Sequence, residues 1–172
     1  MTYAARQVLA DCQVALQLLE EETDLQRWRI HWAAAVALTR AVGHILDKVD
    51  GNSPKIRTAA RAAYGRWKDP TSSHKIFREF IETERNNILK EYRFNLHPLD
   101  DVDVVVSMTV VDPLTGEKSE VADVMPLGGN VYRPILDGFG EGDDAREVLA
   151  EALEWWSTEL DAIDAVVAAG SF

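Results

Sequence analysis

Apolar residues recur at three- and four-residue spacing through most of this chain, and they alternate every second residue in one stretch. The first pattern is one face of a helix; the second is one face of a strand. From Thr2 to about Glu21, Ala5, Val8, Cys12, Ala15, Leu16 and Leu19 form a single apolar stripe. Thr23 with Gln26 three residues on reads as a capping box, which starts a second helix running to about Val49. Asp50-Gly51 stops it. Two stripes mark this helix: Trp28, Trp32, Ala35, Val42, Leu46 and Val49 on one side, Ile30, Ala34, Ala37, Ala41 and Ile45 on another. They predict a central helix packed on more than one side.

Ser53-Pro54 opens a third helix, because serine can accept from free amides and proline suits the first turn. It buries Ile56, Ala60, Ala63 and Trp67, carries Arg57, Arg61, Tyr64 and Lys68 along its other side, and ends at Asp69-Pro70. A fourth helix follows from His74 to about Phe94, with Phe77, Phe80, Ile81, Ile88 and Tyr92 inward. Val102 to Val111 then reads as a strand, Asp112 to Gly116 as a turn, and Lys118 to Met125 as the returning strand. Val131 to Phe139 is ambiguous, a short third strand interrupted by Pro134 or none. Asp143 or Asp144 caps a last helix to about Ala168. The expected fold is mainly α: about five helices in one bundle domain over 1–172, with a β-hairpin inserted at about 101–139 before the last helix. A lone two-stranded hairpin is marginal, so it is expected to pack on the bundle or pair with another chain.

Composition changes this picture little. A chain of 172 residues, 47% hydrophobic and 27% charged, can bury a core without disulfides or metals. The single cysteine, Cys12, excludes an intramolecular disulfide and falls on an apolar stripe, where a thiol packs as a small hydrophobe. No leader pattern follows Met1, and the longest apolar candidate, Trp32 to Leu46, is broken by Arg40 and His44. No membrane association and a cytoplasmic location are therefore expected.

Charge changes it more. The net charge is −11, but from Ser53 to Phe94 ten basic side chains stand against five acidic ones. Either this middle segment neutralises the acidic C-terminal part, or it offers a basic surface to a phosphate-bearing partner. Metal and nucleotide motifs are missing: His31, His44, His74 and His97 form no HExxH or ExxH pair, and no phosphate loop is present. Gly138-Phe139-Gly140-Glu141-Gly142 reads as a flexible connection. No metal and no cofactor are expected. On the second helix, Arg40, His44, Asp47 and Lys48 share one side; they make an ordinary ridge of ion pairs, or an imidazole oriented by a carboxylate for proton transfer.

The most specific string is Glu84-Arg85-Asn86-Asn87-Ile88-Leu89-Lys90-Glu91-Tyr92. Arg85-Asn86 followed by Tyr92 resembles the signature of the HEPN family (higher eukaryotes and prokaryotes nucleotide-binding), in which an arginine is followed after four to six residues by a histidine, often as R-x4-H-x-Y. The resemblance extends over the helical layout of about residues 3–94. It implies a helical bundle, a homodimer, and metal-independent RNA cleavage at a site shared between protomers, in toxin–antitoxin or phage-defence systems. Catalytic candidates by this resemblance are Arg85, Lys90 and Tyr92; binding candidates are Asn86, Arg57, Arg61, Lys68, Arg40 and His44.

Lys90 stands where the family has histidine. Lysine, with an ordinary pKa of about 10.4, is a poor proton acceptor at neutral pH. On a regular helix Arg85 and Lys90 point about 140° apart, so their convergence needs a local distortion or a second protomer. Three expectations follow. The first is a non-catalytic, HEPN-like binding or regulatory protein that contacts RNA or a protein partner. The second is a metal-independent endoribonuclease, with Lys90, His44 or His74 moving protons. The third is an interaction protein using Trp28, Trp32, Trp155 and Trp156 as anchors. An all-structural version of the motif has Glu82, Arg85, Asn86 and Lys90 paired along one charged face.

Overall fold

The computed structural model describes residues 1–97, 103–126, 130 and 132–170. The protein is mainly helical, with an antiparallel hairpin before the last helix. Helices α1 (Tyr3–Glu21), α2 (Leu25–Lys48), α3 (Pro54–Lys68), α4 (Glu82–Asn86) and α5 (Ala145–Ala169) surround one core, and β1 (Asp103–Val111) pairs with β2 (Lys118–Pro126). A short 3₁₀ turn, Asp50–Asn52, joins α2 to α3. Its Asp50 carboxylate accepts from the Ala4 and Ala5 amides at 3.0 and 2.9 Å, satisfying free donors at the start of α1.

The α1 stripe is buried as its spacing requires: Ala5, Leu9, Cys12, Ala15 and Leu19 face inward, with Val8 and Leu16 half-buried. Burial also pushes the Cys12 thiol up to about 11. The start of α2 differs from the capping-box expectation. Asp24, not Thr23, caps the helix, its carboxylate accepting from the Arg27 amide at 2.8 Å. A second correction concerns its faces. Trp28, Trp32, Ala35, Val42 and Leu46 are buried, but Ile30 is 58% exposed and Val49 46%. Ala34 is exposed as well, while Ala37, Ala41 and Ile45 are half-buried, so the second stripe is only partly covered although α2 contacts α1, α3, α4 and α5. Small alanines can repeat at helical spacing without being covered, because each leaves little apolar surface in water.

The centre of the core is aromatic. Trp67 meets Trp155 and Trp156 with ring centroids 5.2 Å from each, and Phe77 lies 5.3 Å from Trp67. Trp28 stacks on Trp32 at 5.7 Å. The tryptophans are thus core residues rather than surface anchors: four are fully or almost fully buried, and Trp155 is half-buried against them. Two indole N–H groups find buried acceptors, Trp67 on Glu159 at 2.6 Å and Trp28 on the Leu19 carbonyl at 3.1 Å, whereas the buried Trp156 N–H has no partner among the described residues.

The fourth helical segment is not a regular α-helix. The α4 turn lies between two π-helical runs, Ile76–Ile81 and Asn87–Glu91. The second run ends on Tyr92 in the left-handed conformation, φ 50°. Tyr92 was expected inward by α-periodicity. It is instead 68% exposed, because the wider π turn shifts each later residue around the axis.

Asp144, of the two candidate caps, begins α5. Its carboxylate accepts from the Arg146 and Arg133 amides, both at 2.9 Å, and from the Arg146 guanidinium at 2.8 and 2.7 Å. Burial alone would raise this carboxyl; those hydrogen bonds and the Arg146 charge outweigh it and hold it below the usual range. The glycine-rich connection before α5 is seated on the core at Gly140, while Gly138 and Gly142 stand in open space. A Cβ on Gly140, at φ 75°, would stand 2.6 Å from Val148. Between 132 and 144 the backbone forms isolated bridges (Leu96 with Ile135, Pro134 with Asp144) rather than a third strand among the described residues. No helix among the described residues is long and apolar enough to cross a membrane.

Candidate functional site

An open cleft of about 390 Å³ lies between α2 and α3, with Trp67 and Phe77 at its base. Arg40, His44, Asp47 and Lys48 line it from α2, and Arg61 and Tyr64 from α3. The arrangement follows from helical spacing. Arg40, His44 and Asp47 lie at successive turns of one ridge, and Arg61 and Tyr64 are three apart on the facing helix. Two of the rings forming its wall touch edge to face: Tyr64 lies 6.0 Å from Phe77.

Gly43 matters to this geometry. A Cβ there would stand 3.0 Å from the Trp156 ring and 3.2 Å from the Arg40 guanidinium. A hydrogen at that position lets α2 approach α5 while Arg40 reaches across the cleft. The Arg40 guanidinium sits 5.7 Å over the Phe77 ring and 3.4 Å from Glu82. Glu82 also takes the Lys68 ammonium at 2.5 Å, so one carboxylate ties α2, α3 and α4 together at the edge of the site.

His44 is exposed, with its pKa lowered from the usual histidine value. Partial burial is the largest cause, followed by the charges of Arg40, Arg85 and Lys48; Asp47 acts weakly the other way. At neutral pH the imidazole is therefore uncharged. The expected His44–Asp47 pair is not among the described hydrogen bonds; the Asp47 carboxylate is held by Lys48 at 2.8 Å. Asp47 also feels Arg61 and Arg57, which further favours its ionised form.

Arg85 does not line this cleft. It is half-buried, makes no ion pair among the described residues, and donates to the Asn86 side chain at 3.0 Å. Its charge nevertheless bears on His44, one helix away. The all-structural pairing of the motif is thus not what forms: Glu82 turns to Arg40 and Lys68, and Arg85 has no carboxylate partner among the described residues. The run Asn87–Glu91 departs from α geometry, but Arg85 lies in the α turn before it and no contact joins Arg85 to Lys90 among the described residues. Lys90 is exposed and Tyr92 packs edge-on against Phe94 at 5.2 Å; neither lines the cleft. Arg57 donates to the Gly51 carbonyl at 2.8 Å, and so stands at the margin. His74 is engaged elsewhere, accepting from Trp155 at 3.1 Å and lying 3.7 Å from Glu159.

The chain matches no family model, no curated protein and no solved structure.

The basic segment packs beside the acidic α5, with few ion pairs between them among the described residues. Of the acidic residues of α5, Asp161 and Asp164 bind Arg6 at 2.6 and 2.9 Å. Among the described residues, Arg66 at 3.9 Å and His74 at 3.7 Å are the groups of the basic segment that reach an α5 carboxylate, both on Glu159. Sequence spacing found the Arg40–His44 ridge and the Arg61 ridge separately. It missed that they face each other, and it missed Gly43 and Glu82, whose roles exist only across helices.

Proposed function

We propose that this is a HEPN-like binding protein whose α2–α3 cleft holds the phosphate backbone of RNA without cleaving it. The observation that carries the reading is the convergence of Arg40, His44, Lys48 and Arg61 on one aromatic-walled cleft, with Arg85 close by. Guanidinium groups match phosphate oxygens with paired donors, and Tyr64, 45% exposed at the rim, presents a ring on which a base can stack. Regulation within a toxin–antitoxin or phage-defence system, and assembly as a homodimer, belong to the reading as implications of the family resemblance.

Fluorescence anisotropy with a labelled single-stranded RNA tests it. Affinity should fall steeply with salt, and Arg61→Ala should weaken binding about tenfold and lower the salt slope by about one. Absent or salt-insensitive binding removes RNA as the ligand and leaves a protein partner.

One observation favours a second reading, a metal-independent endoribonuclease. The structure brings a neutral imidazole, His44, under the influence of the motif arginine, although the motif itself has Lys90 where histidine is expected. His44 would take the proton of a ribose 2′-hydroxyl while Arg85 and Arg40 stabilise charge on the phosphate. RNA incubated with protein in EDTA decides between the readings. Cleavage that is lost in both His44→Ala and Arg85→Ala establishes the enzyme; intact RNA leaves the binding protein.

A further inference from the structure

The hairpin is the part of the molecule whose chemistry the cleft does not use. All eighteen residues of β1 and β2 are exposed, and the two strands contact chiefly each other. Packing against the bundle, one of the two outcomes open to a marginal hairpin, is therefore not what these residues do. The register decides what each face carries. Val104 opposes Met125, Val106 opposes Asp123, Met108 opposes Val121, and Val110 opposes Ser119. Opposed residues share a face, so Val104, Val106, Met108, Val110, Val121 and Met125 gather on one side. The other side is mixed: Val105, Val111, Ala122 and Val124 lie there among Asp103, Ser107, Thr109, Lys118 and Glu120.

We propose that the apolar face of this hairpin is the docking surface for a second copy of the chain, the two hairpins packing face to face. The proposal rests on the homodimer in the reading above but not on what the cleft binds. The six side chains are each 36–54% exposed. Together they form a patch on the order of 400 Å², the size above which a contiguous apolar patch marks an interaction site. Two such faces with their margins bury on the order of 1,000 Å², about the minimum for a specific interface.

A second copy fits this surface for three reasons. An isologous contact needs one patch that complements itself, and this patch is apolar with a single charge, Asp123. Two identical hairpins have the same twist, so their faces match in curvature when packed about 10 Å apart. The stretch Val104–Val111 contains no charged residue, whereas a strand meant to stand alone in water ordinarily carries charges or proline.

Light scattering across a dilution series tests the proposal on the full-length protein. A dimer is expected, and the double variant Met108→Lys with Val121→Lys should raise its dissociation constant at least about 100-fold. Thr109→Lys, on the opposite face, should leave it unchanged. All five tryptophans lie in the helical body, so their emission shows that the body stays folded in each variant. A monomer at every concentration overturns the proposal, as does a dimer unaffected by the double variant, which must then form through the helices. RNA anisotropy on the same samples reads the cleft independently, so failure of one assignment is distinguishable from failure of the other.

Discussion

Arg146 and Arg61 carry the same guanidinium into opposite surroundings. Arg146 is buried, clasped by both Asp144 oxygens, bound to the Asn130 carbonyl at 2.8 Å and 3.6 Å from Glu20. Arg61 is exposed on the wall of an open cleft and makes no ion pair among the described residues. A saturated buried cation holds a fold together, and its removal exposes how much desolvation it was balancing. A cation left facing a cleft contributes little to folding and is available to a ligand. The contrast separates the two kinds of arginine in this chain better than sequence position does.

The largest expected effect tests the buried side of that contrast. Asp144→Ala removes the helix cap and the two carboxylate bonds to the buried Arg146 guanidinium; it should cost about 3–5 kcal/mol in urea unfolding. A loss below about 1 kcal/mol would mean that water or another carboxylate already satisfies this arginine. Next comes the open side. Arg61→Ala should leave the urea midpoint unchanged while RNA affinity drops about tenfold, whereas equal losses in both would erase the distinction.

Protonation refines the cleft further. His44 has a lowered pKa in the free protein, and a bound phosphate would raise it, so binding takes up a proton. RNA affinity should therefore strengthen as pH falls from neutrality through the histidine range, with His44→Ala flattening the profile. A pH-independent affinity in the parent protein places the phosphate away from this side chain.

The smallest effect concerns Glu84, which is 5% exposed and accepts from the Trp32 indole at 3.4 Å and the Asn95 amide at 3.3 Å. Burial raises its carboxyl above the ordinary range. Because the folded state favours the protonated form, its contribution is fully present below the unfolded pKa and is lost as pH rises through the folded one. Glu84→Gln keeps an acceptor without the charge, so Tm should rise by about 2–4 °C at neutral pH and the gain should vanish in acid. A variant less stable at neutral pH would show that the ionised carboxylate is needed there.

Much of this architecture is legible along the chain because it is local. The α1 stripe, the start of α3 at Pro54 (with Ser53 at the cap position but its side chain making no capping hydrogen bond) and the alternation in β1 each depend on residues within a few turns of one another. Tyr92 escaped the same reading because α-periodicity was carried through a segment that adopts π turns, and π geometry is a property of packing that no short window of residues announces. The second stripe of α2 misled for a related reason: spacing reports which residues share a face, not whether anything covers that face.

The sequence by itself determined the helices, the hairpin and the residue types on every ridge, since propensity and periodicity act over a few residues. Tertiary structure alone decided which ridges meet. It set Arg40 and His44 across from Arg61, turned Glu82 away from Arg85, placed Arg85 within electrostatic reach of an imidazole, and left the apolar face of the hairpin without a helix over it. Those outcomes depend on contacts between residues tens of positions apart, where side-chain volume and the close approach permitted by Gly43 select one packing from many.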